Sequence, residues 1–494
     1  MQTCGKAYFL CEKEVNSSEN QGNMYLWAMK PPISLPIQDF DYDLPDQSIA
    51  YTPATNRSDS KLLVWDKEII AESTYNHIAK FIPEKAALFF NNSKVIAARI
   101  HFHKANNSTI EIFCLEPSAA YQPISMAMQA TQKVEWICLV GGAKKWKEDY
   151  LEKEFEIIQP SINRENIGEH KVENKPTKNT NNSITIKVKA KKIKSLDGKF
   201  LIEFSWDNDT ISFSEIIEHI GSIPLPPYIQ RATTQEDKDR YQTTYAKEEG
   251  SVAAPTAGLH FNDAIFKTLA EKNCSTNFIS LHVGAGTFMP VKTDNITDHE
   301  MHAEVFEITS ITLTDLIEIA KQKELNPAQY TPVIAVGTTT LRTLETLYWL
   351  GVKLIRNPSL EENKDLHLMQ WDAYDSINES NYQSHIKSNN KSNNNNSDAN
   401  RSIPVKDALG TLLSWMQSHQ MHSLITSTQL MIVPGYSFKI ANGLVTNFHQ
   451  PKSTLLLIIA AITGDKWKNI YKYAIDNDYR FLSYGDGCFF TINE

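Results

Sequence analysis

At 494 residues the chain is too long for one ordinary core and reads as two or three domains, with 41% apolar residues supplying material for globular packing. A formal net charge of −9 excludes a protein held to nucleic acid by charge alone, while leaving room for a local basic face. The six cysteines (Cys4, Cys11, Cys114, Cys138, Cys274, Cys488) form no CxxC pair, which argues against a disulfide framework, a zinc ribbon or an iron–sulfur site and fits a reducing, cytoplasmic setting.

In chain order, residues 1–35 lack an apolar signal core and read as a flexible N-terminal extension. Asp41-Tyr42-Asp43-Leu44-Pro45 opens the structured part as an extended lead-in. Short apolar runs follow at Leu62–Trp65, Ala87–Phe90, Ile110–Leu115 and Val134–Val140. With the alternation of Ile184, Ile186 and Val188 against Thr185, Lys187 and Lys189, their spacing predicts a small β-barrel or sandwich over 61–209. Residues 160–183 and 375–402 are polar and asparagine-rich, too poor in apolar side chains to bury a core, and are expected to be flexible insertions. From Gly221 the texture changes to alternating strand and helix: a strand over Phe278–Val283, a helix over Leu313–Ala320, a strand over Val333–Val336, a helix from about Leu341. A late helix over Ser453–Ala461 is apolar on nearly every face and should lie inside. The fold class expected is therefore α/β, a large α/β domain over 36–60 and 210–494 interrupted by a smaller inserted β-barrel. The longest dense apolar run, Leu455 to Ile462, is far too short for a membrane span of roughly 20 residues.

Three segments rich in small residues each carry a histidine: Gly250–Phe261 with His260, Leu281–Phe288 with His282, and Thr446–Thr454 with His449. Glycine lets backbone N–H groups approach a ligand closely and histidine exchanges protons near neutral pH, so a shared active site competes with three tight turns. Val283-Gly284-Ala285-Gly286 lacks the full GxGxxG, and Pro290 arrives too soon for an unbroken helix, so a close approach to a nucleoside fits better than a dinucleotide fold. His299-Glu300-Met301-His302, with Glu304 nearby, is not the HExxH spacing, so an acid–base or structural role is expected and no metal. At Val336-Gly337-Thr338-Thr339-Thr340-Leu341-Arg342 a strand runs into a helix start, suited either to an anion, with Arg342 pairing a carboxylate, or to simple capping by threonine. Tyr479–Asp486 combines aromatic faces, which attract cations, with an arginine and a carboxylate. Lys144, Lys145 and Lys147 around Trp146 could track a phosphate backbone or be an ordinary solvated edge.

These motifs, with Gly221–Ile229, Tyr241–Ala246, Asp298–Glu304, Ala335–Glu345 and Tyr479–Asp486, closely resemble those of the S-adenosylmethionine:tRNA ribosyltransferase-isomerases of queuosine biosynthesis. The resemblance runs from about Phe40 to the C-terminus and is strongest from Gly221. It implies an enzyme, a transferase and isomerase, that moves the ribosyl unit of S-adenosylmethionine onto 7-aminomethyl-7-deazaguanine at the tRNA wobble position. The product would be epoxyqueuosine-tRNA, with adenine and methionine released. S-adenosylmethionine would be a substrate, with no prosthetic group and no metal, and the protein would be a monomer with no membrane partner. General acid–base work then falls to His260, His282, His302 and His449, with Glu304 and Asp486 as carboxylate partners. Gly258, Gly284, Gly286 and Thr287 would shape the nucleoside pocket, Thr338 and Arg342 would hold the methionine carboxylate, and Thr256, Asn447 and Tyr484 would line the substrate site. Lys94, Arg99, Lys144, Lys145 and Lys147 are the RNA-binding candidates.

The N-terminal half departs from the family pattern. Arg57-Ser58-Asp59-Ser60-Lys61-Leu62-Leu63 carries a lysine where the family has an arginine, and Asn91-Asn92-Ser93-Lys94 stands in place of Asn-Asp-Thr-Arg. Arginine and lysine are not interchangeable at a phosphate or base site. A divergent S-adenosylmethionine-dependent transferase with another acceptor, or a noncatalytic RNA-binding relative, therefore stands beside the first reading.

Overall fold

The computed structural model describes residues 7–8, 35–104, 106–158, 183–282, 284, 291–374 and 403–492. The chain forms two compact units, one made of residues up to Lys94 and from Pro226 onward, the other of Val95–Leu225.

The first unit is built on a ten-stranded sheet. At its centre four strands run parallel in the spatial order Gly443–Asn447, Val333–Val336, Ala87–Asn91 and Ser275–His282. To one side the antiparallel Gly487–Thr491 leads to Lys61–Asp66, Ile69–Thr74 and the edge pair Ala7–Tyr8. On the other lie Glu304–Thr309 and Ser423–Thr428.

Strands that are apolar at successive positions suit a sheet covered on both faces. Here successive side chains go to opposite layers. Leu63, Phe89, Ala335 and Leu444 join the layer containing helices Thr338–Arg356, Val405–Ser418 and Thr454–Thr463. Their neighbours Leu62, Leu88, Val336 and Val445 join the layer of Ile265 and Leu269 from helix Asp263–Glu271. The last helix, Thr454–Thr463, is buried along Leu456–Ala460, as its all-round apolarity demands, and is N-capped by Ser453, whose hydroxyl accepts from Leu456 N at 3.2 Å.

Two expectations shift. The runs at Leu62 and Ala87 belong to this large sheet, so the interruption of the α/β unit begins at Val95 rather than 61. The helix expected from Leu341 begins three residues earlier, at Thr338, because Gly337, at φ 98°, makes the turn out of the strand.

The second unit is a seven-stranded antiparallel sheet in the order Gly221–Ser222, Arg99–His103, Thr109–Pro117, Lys133–Gly141, Lys199–Trp206, Ser183–Leu196, Tyr150–Ile158. The expected closed barrel is not formed. Among the described residues no ladder joins the two ends of the sheet. Instead Lys153 Nζ donates to the carbonyls of His101 and Ile220, each at 3.2 Å, spanning the gap with one side chain. Helix Phe213–Ile220, opened by a reciprocal Ser212/Glu215 capping box, seats Phe213 against Trp136 and Phe204 at ring separations of 5.6 and 5.5 Å. The pairing of Tyr150–Ile158 with Ser183–Leu196 ends on the rung Ile158 opposite Ser183. The sequence insertions expected at 160–183 and 375–402, except Ser183 itself, and nearly all of the N-terminal extension lie outside the described residues.

Candidate active site

Three of the parallel strands end side by side, at Asn91, Val336 and Asn447. In open α/β sheets the crevice outside these carboxyl ends is where ligands bind. Here it is a cleft of about 780 Å³, counting the solvent at its mouth, bounded by Asn91, the Pro255–Ala257 turn, Gly337–Thr340, Thr446–Gln450 and Leu482–Ser483. The first N–H groups of a helix have no intrahelical partner, so Thr338, Thr339 and Thr340 bring backbone donors and the positive end of a 19-residue helix to its wall.

The strand Gly443–Asn447 contributes a polar relay. Thr256 Oγ1 donates to Asn447 Oδ1 at 2.8 Å, while Asn447 Nδ2 reaches His260 Nε2 at 3.5 Å and the carbonyl of Asp486 at 3.4 Å. His260 stacks on Tyr75 with ring centroids 4.2 Å apart, and its Nδ1 lies 3.2 Å from the carbonyl of Arg57. His449 lies on the cleft, its Nε2 3.0 Å from Thr446 Oγ1; its carbonyl accepts from Tyr42 and its N–H donates to Tyr471 at 3.2 Å. Burial disfavours the charged imidazolium and brings His260 down to about 4 and His449 to about 3, so both are neutral at pH 7.

Two buried cleft residues stood in segments the sequence reading quoted but were not named as site candidates. Asn91 is 2% exposed; its Oδ1 accepts from Ser93 N at 2.8 Å, while its Nδ2 is buried with no hydrogen-bond partner. Thr340 Oγ1 is in the same condition. The available signal was positional, since Asn91 ends an apolar strand as Asn447 does.

The other candidates are placed as follows. Arg342 does not hold a carboxylate at the cleft; it is buried 2.7 Å from Glu304, a close contact off the hydrogen-bond line, and His302 Nε2 stands 3.5 Å from the same carboxylate. Arg342 shares a helix face with Thr338 but sits one turn further along, which carries its guanidinium away from the helix end and onto Glu304 of strand Glu304–Thr309. Asp486 is spent on backbone, accepting from the amides of Lys61 and Arg480, each at 2.8 Å. Tyr484 donates to Asp237 Oδ1 at 2.8 Å, and Arg231 holds that aspartate at 2.6 and 2.8 Å. Tyr484 lines a separate hollow, with His260 and Arg57, rather than the cleft. Gly258 is a packing requirement, since a Cβ there would stand 1.9 Å from Tyr245 Oη. His282 ends its strand with Nδ1 buried and unpartnered among the described residues, and burial lowers its pKa. A Cβ on Gly284 would meet none of the described residues, and Gly286 and Thr287 lie outside them.

Of the basic candidates in the first unit, Lys94 pairs with Glu249 at 3.1 Å. In the second, Arg99 pairs with Glu111 at 2.7 Å and covers the Phe113 ring, whereas Lys144, Lys145 and Lys147 are exposed around the buried Trp146. Lys61 donates to the carbonyls of Asn477 and Asp478 at 2.8 and 3.2 Å, just past helix Trp467–Asp476, a place where a positive charge belongs.

A family model described as queuosine biosynthesis protein matches residues 37–369 and 382–490. The S-adenosylmethionine:tRNA ribosyltransferase-isomerase of Halothermothrix orenii is 33% identical over 454 residues, covering 91% of this chain and 98% of that protein. The protein of the same name from Vesicomyosocius okutanii is 31% identical over 458 residues, covering 92% and 98%. A solved S-adenosylmethionine tRNA ribosyltransferase from Thermotoga maritima is 21% identical, covers 92% of this chain and 99% of its own, and superposes with a TM-score of 0.38.

Proposed function

Because the chain belongs to the queuosine biosynthesis protein family, we propose that it is an S-adenosylmethionine:tRNA ribosyltransferase-isomerase. It transfers the ribosyl unit of S-adenosylmethionine to the aminomethyl group of a 7-deazaguanine at the tRNA wobble position, rearranges it to the epoxycyclopentanediol, and releases adenine and methionine. The observation that carries this reading is the cleft at the strand ends, which sets a helix N-terminus beside His449, kept neutral by burial, and reaches the equally neutral His260 through Asn447.

The substrate brings both an anion and a cation. Backbone N–H groups of Thr338–Thr340 receive the methionine carboxylate, the task the sequence suggested for Thr338 together with Arg342. The sulfonium is best met by uncharged walls, and a neutral His449 adds no repulsion. With Nε2 engaged by Thr446, His449 offers its other ring nitrogen to the reacting sugar. Asn447 is held by Thr256 and the Asp486 carbonyl and so keeps His260 in register, making His260 a positioning residue. Asn91 Nδ2 and Thr340 Oγ1 are buried groups whose cost of 1–3 kcal/mol each, to order of magnitude, a bound nucleoside could relieve.

The test is incubation of the purified protein with S-adenosylmethionine and tRNA bearing the aminomethyl-deazaguanine, following adenine and methionine by chromatography and the nucleoside by mass. Both products together with the epoxy nucleoside are expected. Binding of S-adenosylmethionine without turnover on that tRNA would sink the assignment.

A further inference from the structure

Beside the cleft lies a second, shallow hollow of about 250 Å³, counting the open solvent at its mouth, bounded by Pro53, Arg57, Ser60, Arg240, His260 and Tyr484. It joins the cleft through Ser483, which borders both, and through His260, which Asn447 holds from the cleft side. Its two guanidinium groups come from different segments and clamp each other's backbone. Arg57 donates to the carbonyls of Asp239, of Arg240 at 3.4 Å and of Leu259 at 3.1 Å, while Arg240 donates to those of Ala54 and of Thr55 at 3.1 Å.

The charge there is poorly compensated. Among the described residues Arg57 has no carboxylate within ion-pair distance, and its cation is disfavoured by burial and then by the charge of Arg240. Among the described residues Arg240 has only Glu236 at 3.3 Å, a carboxylate whose side chain is 68% exposed, and its Nε is buried without a hydrogen-bond partner. A third guanidinium, Arg480, adds its field at His260, with its nearest carboxylate, Asp486, 3.8 Å away and already accepting from two amides. Asp237 is matched by Arg231 and Tyr484. A loop clamp alone needs donors to carbonyls, which neutral side chains supply; it does not call for like charges brought together beside an open hollow.

We infer that this hollow seats an oxyanion between Arg57 and Arg240. Two sources have that chemistry, a phosphodiester of the tRNA and, in place of its seat at Thr338–Thr340, the carboxylate of the methionine moiety. The choice between them rests on the function proposed above, whereas anion binding itself does not.

The first experiment needs neither substrate. Inorganic phosphate added to the wild-type protein should raise its melting midpoint more than sodium chloride at equal ionic strength, and Arg240→Gln, which keeps a donor for Ala54, should abolish the difference. Arg57→Gln and Arg240→Gln are then compared with wild type for S-adenosylmethionine affinity by calorimetry and for tRNA affinity across salt concentrations. A loss of about tenfold in tRNA affinity, with a shallower salt slope and unchanged S-adenosylmethionine binding, assigns a phosphodiester. A comparable loss in S-adenosylmethionine affinity with the tRNA slope unchanged assigns the carboxylate. Folded variants that alter neither affinity overturn the inference. Should the variants fail to fold, a wild-type response to phosphate no greater than to chloride overturns it.

Discussion

Replacing Arg342 by methionine should damage the fold rather than the binding of S-adenosylmethionine. The guanidinium and the Glu304 carboxylate are 2.7 Å apart, with side chains 3% and 1% exposed. Methionine fills much of the space but leaves Glu304 buried without its cation, and breaking such a pair from one side costs about 3–5 kcal/mol. Glu304→Gln strands Arg342 in the same way and should cost a similar amount. The double variant Arg342→Met with Glu304→Leu removes both charges and should regain most of the loss, because the desolvation penalty disappears with the pair. Urea unfolding followed by circular dichroism measures all four proteins, and calorimetry measures S-adenosylmethionine affinity of the folded fraction. If Arg342→Met keeps wild-type stability and loses the ligand, the arginine belongs to the cleft and the geometric reasoning fails.

Gly258→Ala should destabilise by about 1–3 kcal/mol, because its Cβ would meet Tyr245 Oη at 1.9 Å, and a Tyr245→Phe background should restore part of this in thermal melts. Stability should fall with acid: His260 drops from 6.5 to about 4 on folding, so the unfolded chain binds more protons between those values. His260 thus contributes fully above about pH 6.5 and loses roughly 3 kcal/mol as pH falls to 4, a slope that urea melts should find flattened in His260→Asn. Asn447→Leu keeps the number and branching of the side-chain heavy atoms but cuts the relay, and adenine release should slow on the order of 100-fold with the fold retained. Changing Lys144, Lys145 and Lys147 to alanine should leave stability unaltered; each that touches a phosphate should take about 0.7–0.9 from the salt slope of tRNA binding.

The α/β character and several elements were legible because their signals are local. Val333–Val336 is a strand and Ser453 caps a buried helix, as apolar runs and a serine predict. The placement of Lys61–Asp66 and Ala87–Asn91 was misread because strand content says nothing of which sheet a strand joins. The clue was present: Leu62, Leu63, Val64 and Trp65 are apolar in succession, which suits a doubly covered sheet, whereas Ile184, Ile186 and Val188 alternate. His260, His449, Thr256, Asn447 and Thr338 were singled out because small residues flanked them; the structure brings Thr256, Thr338, Asn447 and His449 to one cleft, with His260 reached through Asn447. Arg342 and Asp486 looked chemical and turned out to be buried partners of Glu304 and of two amides, since spacing along a chain does not reveal what faces a charge across a sheet.

The rung that sets Ile158 opposite Ser183 has a consequence for how this chain tolerates change. Its two residues are neighbours across a ladder whatever number of residues joins them, so the pairing does not depend on the length of the connection. Closing a flexible loop costs only about 0.6 kcal/mol more for each doubling of its length. Chain growth at this point is nearly free of thermodynamic selection, whereas a one-residue insertion within Ala87–Asn91 or Gly443–Asn447 would exchange the two covered faces and move Asn91 or Asn447 off the cleft. A fluorescent reporter spliced between 158 and 183 should accordingly leave this rung in place.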